Sequence, residues 1–340
     1  MDTRPTRAAY FSDAAAPSHG HLWQVFDEQR RKRIEASASL VADVIGSKNL
    51  AERTEGLADL EAVFATWGMP VLSAGQLDLL PSLKAVFYAA GSVRHFAGPL
   101  LERGIIVVSG ADANAVPVAE YTLAAVLFSL KRGWSQALAL RQGKGPGAWS
   151  RQPMTGAYGS VIGLIGLSMV GRKVCRLLRN FDLKVIAYDP VIDPRETDEL
   201  DVELCPLEEV FARGDVVSLH APLLPGTRGM ITGAMIESMK AGSTFINTAR
   251  GAIVAEEEMV AVLRRRPDLW AVLDVTDPEP PPAGSGLYEL PNVILTPHIA
   301  GSMGGEVKRM ADLVIAEFEA WRAGRLLRHA VSLKDLPTMA

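Results

Sequence analysis

Cysteine is nearly absent from this sequence of 340 residues, which contains only Cys175 and Cys205. Two thiols do not form the disulfide framework typical of small secreted proteins, and Cys175 lies in a segment with the pattern of a core helix. The first 20 residues contain no apolar run long enough for a secretory signal. The sequence therefore predicts a cytoplasmic protein with both thiols reduced.

Long apolar runs and an excess of one charge are also missing. The longest apolar stretch, 116–130, contains Glu120 and is interpreted as too short to span a bilayer. The 35 basic and 39 acidic side chains give a formal net charge of -4, which does not favour binding to nucleic acid or to an anionic membrane. The basic clusters at 30–33 and 264–266 lack interleaved aromatic residues and are interpreted as solvated helix faces. A small molecule is therefore the expected partner.

From Val161 onward, short apolar runs alternate with segments of helical period, such as VIGLIG, MVGRKVCRLLRNF, KVIAYD, LEEVFARG and VVSLH. This alternation predicts βαβ units and a parallel sheet. Strands are expected near positions 161, 184, 216, 243, 270 and 293. Six strands are typical of a doubly wound, dinucleotide-binding sheet.

The length of the chain favours a second domain, and an α/β pattern before position 112 predicts a smaller one. The segments LEAVFATW, LKAVFYAA and GIIVVSG are interpreted as its strands, whereas the elements before Leu60 are not predicted. A long apolar helix is predicted over 116–140, as a bridge between domains or as part of a subunit interface. An amphipathic helix over 306–321 is expected to return to the first domain.

The segment GLIGLSMVG, 163–171, follows a predicted strand and opens a predicted helix, which is the setting of a G-x-G-x-x-G dinucleotide turn. Gly166 and Gly171 occupy the outer glycine positions. Ser168 replaces the middle glycine, where the backbone passes closest to a pyrophosphate. The same glycines could simply let a strand and a helix pack closely, so the motif alone leaves both interpretations open.

Asp189 ends the predicted strand KVIAYD, 23 residues after Gly166, where an acidic side chain would receive the ribose hydroxyls. An Asp at a strand end is also a common turn or cap residue. A carboxylate here repels the additional phosphate of NADP, and Pro190 follows in place of an Arg or Lys. NAD is therefore the predicted cofactor, with NADH preferred over NADPH.

Arg250, Glu279 and His298 follow three of the later strands, whose carboxyl ends meet at one edge of the sheet. Arginine can grip a carboxylate with two parallel hydrogen bonds, and histidine can exchange a proton with a substrate oxygen near neutral pH. Glu279 would favour the imidazolium and orient the ring. Each residue alone could be a cap, a solvated carboxylate or a backbone-bonded histidine. Together they predict a catalytic set for the reduction of a 2-oxo acid.

Over about 114–301 the chain resembles the D-2-hydroxyacid dehydrogenases, because six segments stand in that family's order and spacing: NAVPVAEYTLA, GLIGLSMVGR, VVSLHAPLLPGTRGMI, FINTARGAIVAEEE, LDVTDPEP and LTPHIAG. The resemblance implies an α/β fold with two doubly wound parallel-sheet domains. A Rossmann NAD-binding domain would comprise 113–302, and a smaller flavodoxin-like substrate-binding domain would comprise 1–112 and 303–340. It also implies catalytic roles for Arg250, Glu279 and His298.

The resemblance implies a cofactor site and a substrate site, and no metal is expected. The pyrophosphate, the ribose and the nicotinamide half would meet Gly166, Leu167, Ser168, Met169, Val170, Asp189, His220, Ala221, Pro222, Thr227, Thr248, Ala249, Arg250, Asp274, His298, Ala300 and Gly301. The substrate would meet Ala90, Gly91, Ser92, Arg94, Arg250 and His298.

Two positions depart from the family pattern. The sequence AAGSVRHF replaces a glycine-rich stretch that ends in Asp, so Arg94 follows the substrate loop either as a solvated residue or as a second cation that selects an additional anionic or polar group. Thr276 stands where an aromatic residue is frequent and could alter packing beneath Glu279.

The predicted function is NAD-dependent interconversion of a small 2-oxo acid and its D-2-hydroxy acid, with a substrate like glyoxylate or hydroxypyruvate or a larger 2-oxo acid. One alternative is an NAD(H)-sensing protein of the corepressor kind. Another is a phosphonate dehydrogenase that uses the same Arg, Glu and His. The apolar helix after Val116 suggests a homodimer.

Overall fold

A computed structural model of the protein describes residues 4–15, 21–52, 57–143, 155–336 and 339. The chain divides into two compact units, one formed by Met1–Ala115 with Ser302–Ala340 and the other by Val116–Gly301. The predicted domain boundaries at 112 and 302 lie close to these divisions. Both units are α/β structures built on parallel sheets, which confirms the predicted fold class.

The described residues of the first unit form a six-stranded sheet in the order β13-β5-β4-β3-β1-β2. Its strands are β1 (Thr6–Phe11), β2 (Ala38–Leu40), β3 (Ala62–Ala65), β4 (Ala85–Tyr88), β5 (Ile106–Ser109) and β13 (Ala330–Val331). Only β13 runs antiparallel to its neighbour. The helices are α1 (Leu22–Val25), α2 (Glu28–Glu35), α3 (Ala74–Asp78), α4 (Ala97–Glu102) and α12 (Val307–Arg322), and a 3-10 turn covers Gly304–Glu306.

Strands β3 and β4 are buried along their whole length, as expected where helices cover both faces of a parallel sheet. Helix α12 packs on one face through Phe318, whose ring lies 5.0 Å from that of Phe64 and 5.3 Å from that of Phe87. The predicted return of the C-terminal helix to the first domain is therefore confirmed. The three predicted strands are also confirmed as β3, β4 and β5.

The described residues of the second unit form a seven-stranded parallel sheet in the order β12-β11-β10-β9-β6-β7-β8. Its strands are β6 (Val161–Ile165), β7 (Lys184–Tyr188), β8 (Glu203–Leu204), β9 (Val216–Leu219), β10 (Thr244–Asn247), β11 (Trp270–Leu273) and β12 (Val293–Leu295). The helices are α5 (Ala111–Leu130), which begins in the first unit, α6 (Gly133–Gly143), α7 (Met169–Leu178), α8 (Pro194–Leu200), α9 (Leu207–Arg213), α10 (Gly233–Glu237) and α11 (Glu256–Arg265). Gly251–Ile253 and Gly286–Tyr288 are 3-10 turns.

The six predicted strands of this sheet are present, and β8 is an additional edge strand. Strand β6 lies between β7 and β9, so the direction of strand addition reverses at β6. In open α/β sheets, ligands bind beyond the carboxyl ends of the strands at such a reversal. The sheet therefore locates a candidate site at the ends of β6, β9, β10 and β11.

The single helix predicted over 116–140 is wrong. Helix α5 ends at Leu130, and α6 begins at Gly133 after Arg132, whose φ of +48° interrupts the right-handed helix. The prediction that this apolar stretch is too short to span a bilayer is also wrong. Helix α5 starts at Ala111, before the apolar stretch, and its 20 residues are long enough to cross one. The apolar part of α5 is half buried, and core helices of soluble proteins can be equally long and apolar.

Candidate active site

The turn between β6 and α7 carries the glycine motif. Gly166 has a φ of +93°, and a Cβ added at Gly171 would lie 2.1 Å from the Gly166 carbonyl oxygen. The strand and the helix therefore approach each other at a distance that only glycine allows. Ser168, in the middle position, has an extended backbone and is exposed, so the turn accommodates it.

The start of α7 offers backbone donors to an anion. The Ser168 hydroxyl does not cap the helix but donates to the carbonyl oxygen of His220 at 3.2 Å. The N–H groups of Met169 and Val170 therefore lie at an N-terminus where the helix dipole favours phosphate. These residues fit the pyrophosphate of a dinucleotide.

The Asp189 carboxylate lies at the end of β7 and accepts three backbone hydrogen bonds. Its Oδ2 accepts from the N–H of Leu167 at 2.7 Å, and its Oδ1 accepts from Val191 and Ile192 at 2.9 and 3.0 Å. Asp189 thus caps backbone N–H groups, as a turn residue does, and these hydrogen bonds fix its carboxylate beside the glycine turn. A carboxylate has about four acceptor positions, so a ribose hydroxyl can still be received.

The His220 ring is buried in the sheet, and its Nε2 lies 3.0 Å from the Ser218 hydroxyl. Burial lowers the pKa of His220 to about 4, because the charged ring would lose its hydration. The ring is therefore neutral near pH 7 and faces away from solvent. A contact between His220 and a cofactor would come from the backbone.

The segment after His220 is held by its own hydrogen bonds. The Thr227 hydroxyl donates to the carbonyl oxygen of Pro222 at 2.7 Å and accepts from the N–H of Leu224 at 2.8 Å. Ala221 lies directly against the glycine turn, because a Cβ added at Gly166 would be 2.7 Å from the Ala221 nitrogen. The predicted residues Ala221 and Pro222 thus border the predicted pyrophosphate turn.

Arg250 follows β10 in a turn organised by Asn247. The Asn247 side chain donates to the carbonyl oxygen of Arg250 at 3.0 Å and accepts from the N–H of Ala249 at 2.9 Å. Thr248 is buried, with its hydroxyl 3.4 Å from that of Thr122.

The Arg250 guanidinium is half-buried and donates to the Ala249 carbonyl oxygen at 2.6 Å. Burial lowers the pKa of Arg250, and the nearby Glu279 carboxylate opposes that effect. Gly251, which follows Arg250, lies against the loop that carries Glu279, because a Cβ added at Gly251 would be 2.0 Å from the Thr276 backbone carbon. The cation and the carboxylate therefore share one edge of the sheet.

The predicted pair of His298 and Glu279 is present. His298 Nδ1 lies 2.6 Å from Glu279 Oε1, and the two side chains are 48% and 41% exposed. Since Nδ1 faces the carboxylate, Nε2 is the ring nitrogen left for another partner. An imidazole that a ligand can reach is thus available at this edge.

Asp274 is buried, and its carboxylate holds the backbone around His298. Its Oδ1 accepts from the Thr296 hydroxyl at 2.6 Å and from the N–H of Ile299 at 2.8 Å, and its Oδ2 accepts from the N–H of Ala300 at 2.8 Å. The contact of this segment with the nicotinamide half stays a prediction, while the observed contacts of the Asp274 carboxylate position the backbone around His298.

Ala300, also predicted to meet the cofactor, is buried, and Gly301 beside it is half-buried. They end the segment that Asp274 holds. Gly301 is the last residue of the second unit.

The predicted substrate loop lies in the first unit, after β4. Ala90 is buried, Gly91 and Ser92 are half-buried, and Arg94 is exposed. The Ser109 hydroxyl donates to the Gly91 carbonyl oxygen at 2.7 Å and thereby fixes the loop. Arg250, Glu279 and His298 lie in the second unit, so the joint substrate site of all these residues remains a prediction.

A cavity of about 440 Å³ opens beside the His298–Glu279 pair. Its other walls include Pro280, Tyr288 and Leu295. Thr276 also lines it, buried, and its hydroxyl donates to the Pro278 carbonyl oxygen at 2.9 Å. The small side chain at this position therefore leaves space next to Glu279.

Among the residues that the structure describes, no group of three or more His, Cys, Asp or Glu side chains is placed to hold a metal ion. Cys175 and Cys205 are free thiols. Burial raises the pKa of Cys175 to about 12, so this thiol stays protonated.

The sequence interpretation missed Asn247, Thr296 and Tyr121. Tyr121 lies on α5, and its hydroxyl is 2.8 Å from that of Thr296, which in turn donates to Asp274. Asn247 could have been predicted as a site residue, because it is a polar residue at the end of the buried strand TFIN, as Asp189 is at the end of KVIAYD. The contact of Tyr121 joins residues far apart in the chain and carries no local signal.

Comparison with known proteins relates the second unit to a family model and most of the chain to a curated relative. Residues 124–300 match the family model described as D-isomer specific 2-hydroxyacid dehydrogenase, NAD binding domain. A glyoxylate reductase of Korarchaeum cryptofilum is 30% identical over 275 residues, which cover 80% of this chain and 82% of that protein.

A D-3-phosphoglycerate dehydrogenase of Methanocaldococcus jannaschii is 33% identical over 240 residues, which cover 69% of this chain but only 45% of that protein. The match thus spans less than half the length of this relative. A solved structure of a phosphoglycerate oxidoreductase from Rhizobium etli aligns with a TM-score of 0.79 over 96% of this chain and 98% of its own, at 23% identity. At that identity the likeness shows a common fold.

Proposed function

Because the chain belongs to the family of D-isomer specific 2-hydroxyacid dehydrogenases, we propose that it interconverts a small 2-oxo acid and its D-2-hydroxy acid with NAD(H). The observation that carries this proposal is the 2.6 Å hydrogen bond between His298 and Glu279, at the sheet edge that also carries Arg250. The nicotinamide, when bound, supplies or takes the hydride. The protein must bind the acid and move the proton.

His298 is the proposed proton carrier. In reduction, Nε2 of the imidazolium gives its proton to the carbonyl oxygen as that oxygen gains negative charge, and in oxidation the neutral ring takes the proton from the hydroxyl. Glu279 holds Nδ1 and stabilises the charged ring in both directions. Asp274 acts indirectly, because it holds the backbone on which His298 stands.

Arg250 is the proposed carboxylate-binding residue. Its half-buried guanidinium is partly shielded from water, so an ion pair with a substrate carboxylate meets weaker competition than at an open surface. We also propose that the backbone N–H groups of Ala90, Gly91 and Ser92 bind this carboxylate.

Arg94 follows that loop and is proposed to select 2-oxo acids with a second anionic or polar group. Arg94→Ala should then lower kcat/KM more for such substrates than for glyoxylate. Unchanged ratios of kcat/KM across a panel of 2-oxo acids would contradict this role.

NAD(H) is the cofactor that the family uses, and we propose a preference for NADH over NADPH. The support is the position of Asp189, which is fixed beside the glycine turn by three backbone N–H groups. A 2′-phosphate at this place would meet a carboxylate.

The test is an initial-rate screen of glyoxylate, hydroxypyruvate, phosphohydroxypyruvate and longer 2-oxo acids with NADH and with NADPH, and of D- and L-2-hydroxy acids in reverse. We expect turnover with NADH, with the D-isomers only. Binding of NADH without turnover of any acid would favour the sensing protein, and oxidation of phosphite would favour phosphonate chemistry. Either result would replace the proposal.

We also propose a homodimer that forms through helix α5. The support is Phe128, an aromatic side chain of that helix that is 42% exposed. Light scattering at several protein concentrations tests this state.

A cytoplasmic location is proposed, since NADH and 2-oxo acids are the proposed ligands.

A further inference from the structure

A cation, Arg172, lies next to the proposed ribose site, on helix α7. Arg172 is in the first turns of α7, and its Nε donates to the Leu167 carbonyl oxygen at 2.7 Å. The N–H of the same Leu167 donates to Asp189 Oδ2 at 2.7 Å. One residue thus connects the Arg172 guanidinium to the carboxylate proposed to receive the ribose.

The Arg172 cation is already paired. Its Nη1 is hydrogen-bonded to the Glu196 carboxylate of α8, and the two side chains are 33% and 37% exposed. Arg195, the neighbouring cation on α8, is paired with Asp193, which caps the same helix. The charges of Arg172 and Arg195 are therefore both balanced by carboxylates of the protein.

We propose that the ion pair of Glu196 with Arg172 is a second determinant of the choice between NADH and NADPH. A 2′-phosphate carries between one and two negative charges, and arginine is the side chain that best matches its geometry. While Glu196 holds Arg172, the phosphate meets the carboxylates of Asp189 and Glu196 without a free guanidinium. Removal of the Glu196 charge releases Arg172 to bind the phosphate.

This inference rests on the proposed preference for NADH and extends it from Asp189 to a pair of residues outside the strand end. Asp189 acts by repulsion, whereas Glu196 acts by pairing with the Arg172 cation. The two effects are separable, because Glu196 can be neutralised while the Asp189 carboxylate and its three backbone hydrogen bonds remain.

The experiment measures the dissociation constants of NADH and NADPH by calorimetric titration at low ionic strength, where exposed charges are least screened. The variants of the full chain are Glu196→Gln, Arg172→Gln and the double variant. Glu199→Gln is the matched control, since it removes the same charge from an exposed position of the same helix. Glu196→Ala is a second variant in case Glu196→Gln does not fold.

We expect Glu196→Gln to lower the ratio of the NADPH constant to the NADH constant by about tenfold, the size of one charge-assisted hydrogen bond. The double variant should lose this gain, and Glu199→Gln should keep the wild-type ratio. An unchanged ratio in Glu196→Gln, or a gain that persists without Arg172, overturns the proposal. A wild-type protein that binds both nucleotides equally would contradict the proposed NADH preference instead, because this test concerns the change in the ratio.

Discussion

His298 carries its ring on a backbone with a φ of +54°, a left-handed conformation that costs a residue other than glycine about 1–2 kcal/mol. The surroundings offset this strain. The N–H of His298 donates to the Asp274 carbonyl oxygen at 3.0 Å, and the Asp274 carboxylate accepts from the next two residues, Ile299 and Ala300. A buried carboxylate thus fixes the direction in which the imidazole leaves the chain.

Replacement of His298 tests the proton transfer. His298→Asn should lower kcat for 2-oxo acid reduction by about 10²–10⁴-fold, because it removes the acid and base. Glu279→Gln should cause a smaller loss, since it keeps a hydrogen-bond acceptor but removes the charge that stabilises the imidazolium. The dissociation constant of NADH should change little in Glu279→Gln, because Glu279 is not among the predicted cofactor contacts.

Steady-state kinetics and calorimetric titration provide these two measurements. His21→Asn is the control, because His21 is an exposed histidine of the first unit. A His298→Asn protein that retains wild-type kcat would show that another group transfers the proton.

The glycine turn is the element on which the proposed cofactor binding depends, and two of its small residues, Gly171 and Ser168, should respond differently to substitution. In Gly171→Ala, the new Cβ would lie 2.1 Å from the Gly166 carbonyl oxygen, so β6 and α7 must move apart. Overpacking of this kind destabilises by about 1–3 kcal/mol. Ser168→Gly should leave the dissociation constant of NADH within about twofold, because Ser168 is exposed with an extended backbone.

Urea unfolding gives the free energies of unfolding for this comparison, and titration gives the NADH affinities. A large change of affinity in Ser168→Gly with stability retained would mean that the hydroxyl, which donates to His220, contributes to the site.

Glu61 connects strands of the first sheet through its carboxylate, which is only 10% exposed. The hydrogen bond from Lys84 lowers the pKa of Glu61, with further contributions from the backbone N–H of Arg7 and the charge of Arg4, while burial opposes them. A carboxyl with a lowered pKa stabilises the folded state above its ordinary pKa, and this contribution disappears as the pH falls through the folded value.

Glu61→Gln should therefore reduce the free energy of unfolding by about 1.5–3 kcal/mol near pH 7, the range for hydrogen bonds to a charged group. The difference from wild type should shrink as the pH falls below the ordinary glutamate pKa of about 4.3 and on through the lowered pKa of Glu61 in the folded state. Urea unfolding at a series of pH values measures this difference, with Glu52→Gln as an exposed control. A difference that is constant from pH 7 to pH 3 would exclude the charge as its origin.

The elements that the sequence predicted are those with a strong local pattern. Strand β6 is a short apolar run that stops at the glycine turn, and β7 is one that stops at Asp189, so their limits can be inferred from the residues alone. Strand β8 is a pair of exposed residues, Glu203 and Leu204, and pairs only because β7 is beside it. The break between α5 and α6 depends on Arg132, a residue that is not a typical helix breaker.

In the candidate site, too, the residues with a local sequence pattern could be predicted and those that depend on tertiary packing could not. Arg250, Glu279 and His298 could be predicted because parallel strands bring their carboxyl ends to one edge. The hydrogen bonds of Asp274 with Ala300 and of Tyr121 with Thr296 could not be predicted, because they form only after distant segments of the chain have packed together. The sequence thus indicates which groups meet at one edge of the sheet, while the fold determines what holds them.

The whole molecule contains separate apolar cores in its two units, and the dinucleotide turn belongs to the core of the second. Leu167 and Val174 pack in that core with Ile162 and Leu164 of β6, whereas Phe64, Phe87 and Phe318 pack in a core of the first unit. A ligand that binds the glycine turn therefore acts directly on the stability of residues 116–301.

NADH should stabilise the native protein by mass action, because its site is formed only in the folded second unit. At a free concentration 100 times its dissociation constant, the gain is about 2.7 kcal/mol. For a unit of 150–250 residues this corresponds to a rise in Tm of roughly 5–11 °C. Scanning calorimetry measures the rise, and hydrogen exchange at Leu167 and Val191 shows whether protection is centred on the turn. NADPH at the same concentration should give a smaller rise, whereas protection confined to the first unit would place the nucleotide elsewhere.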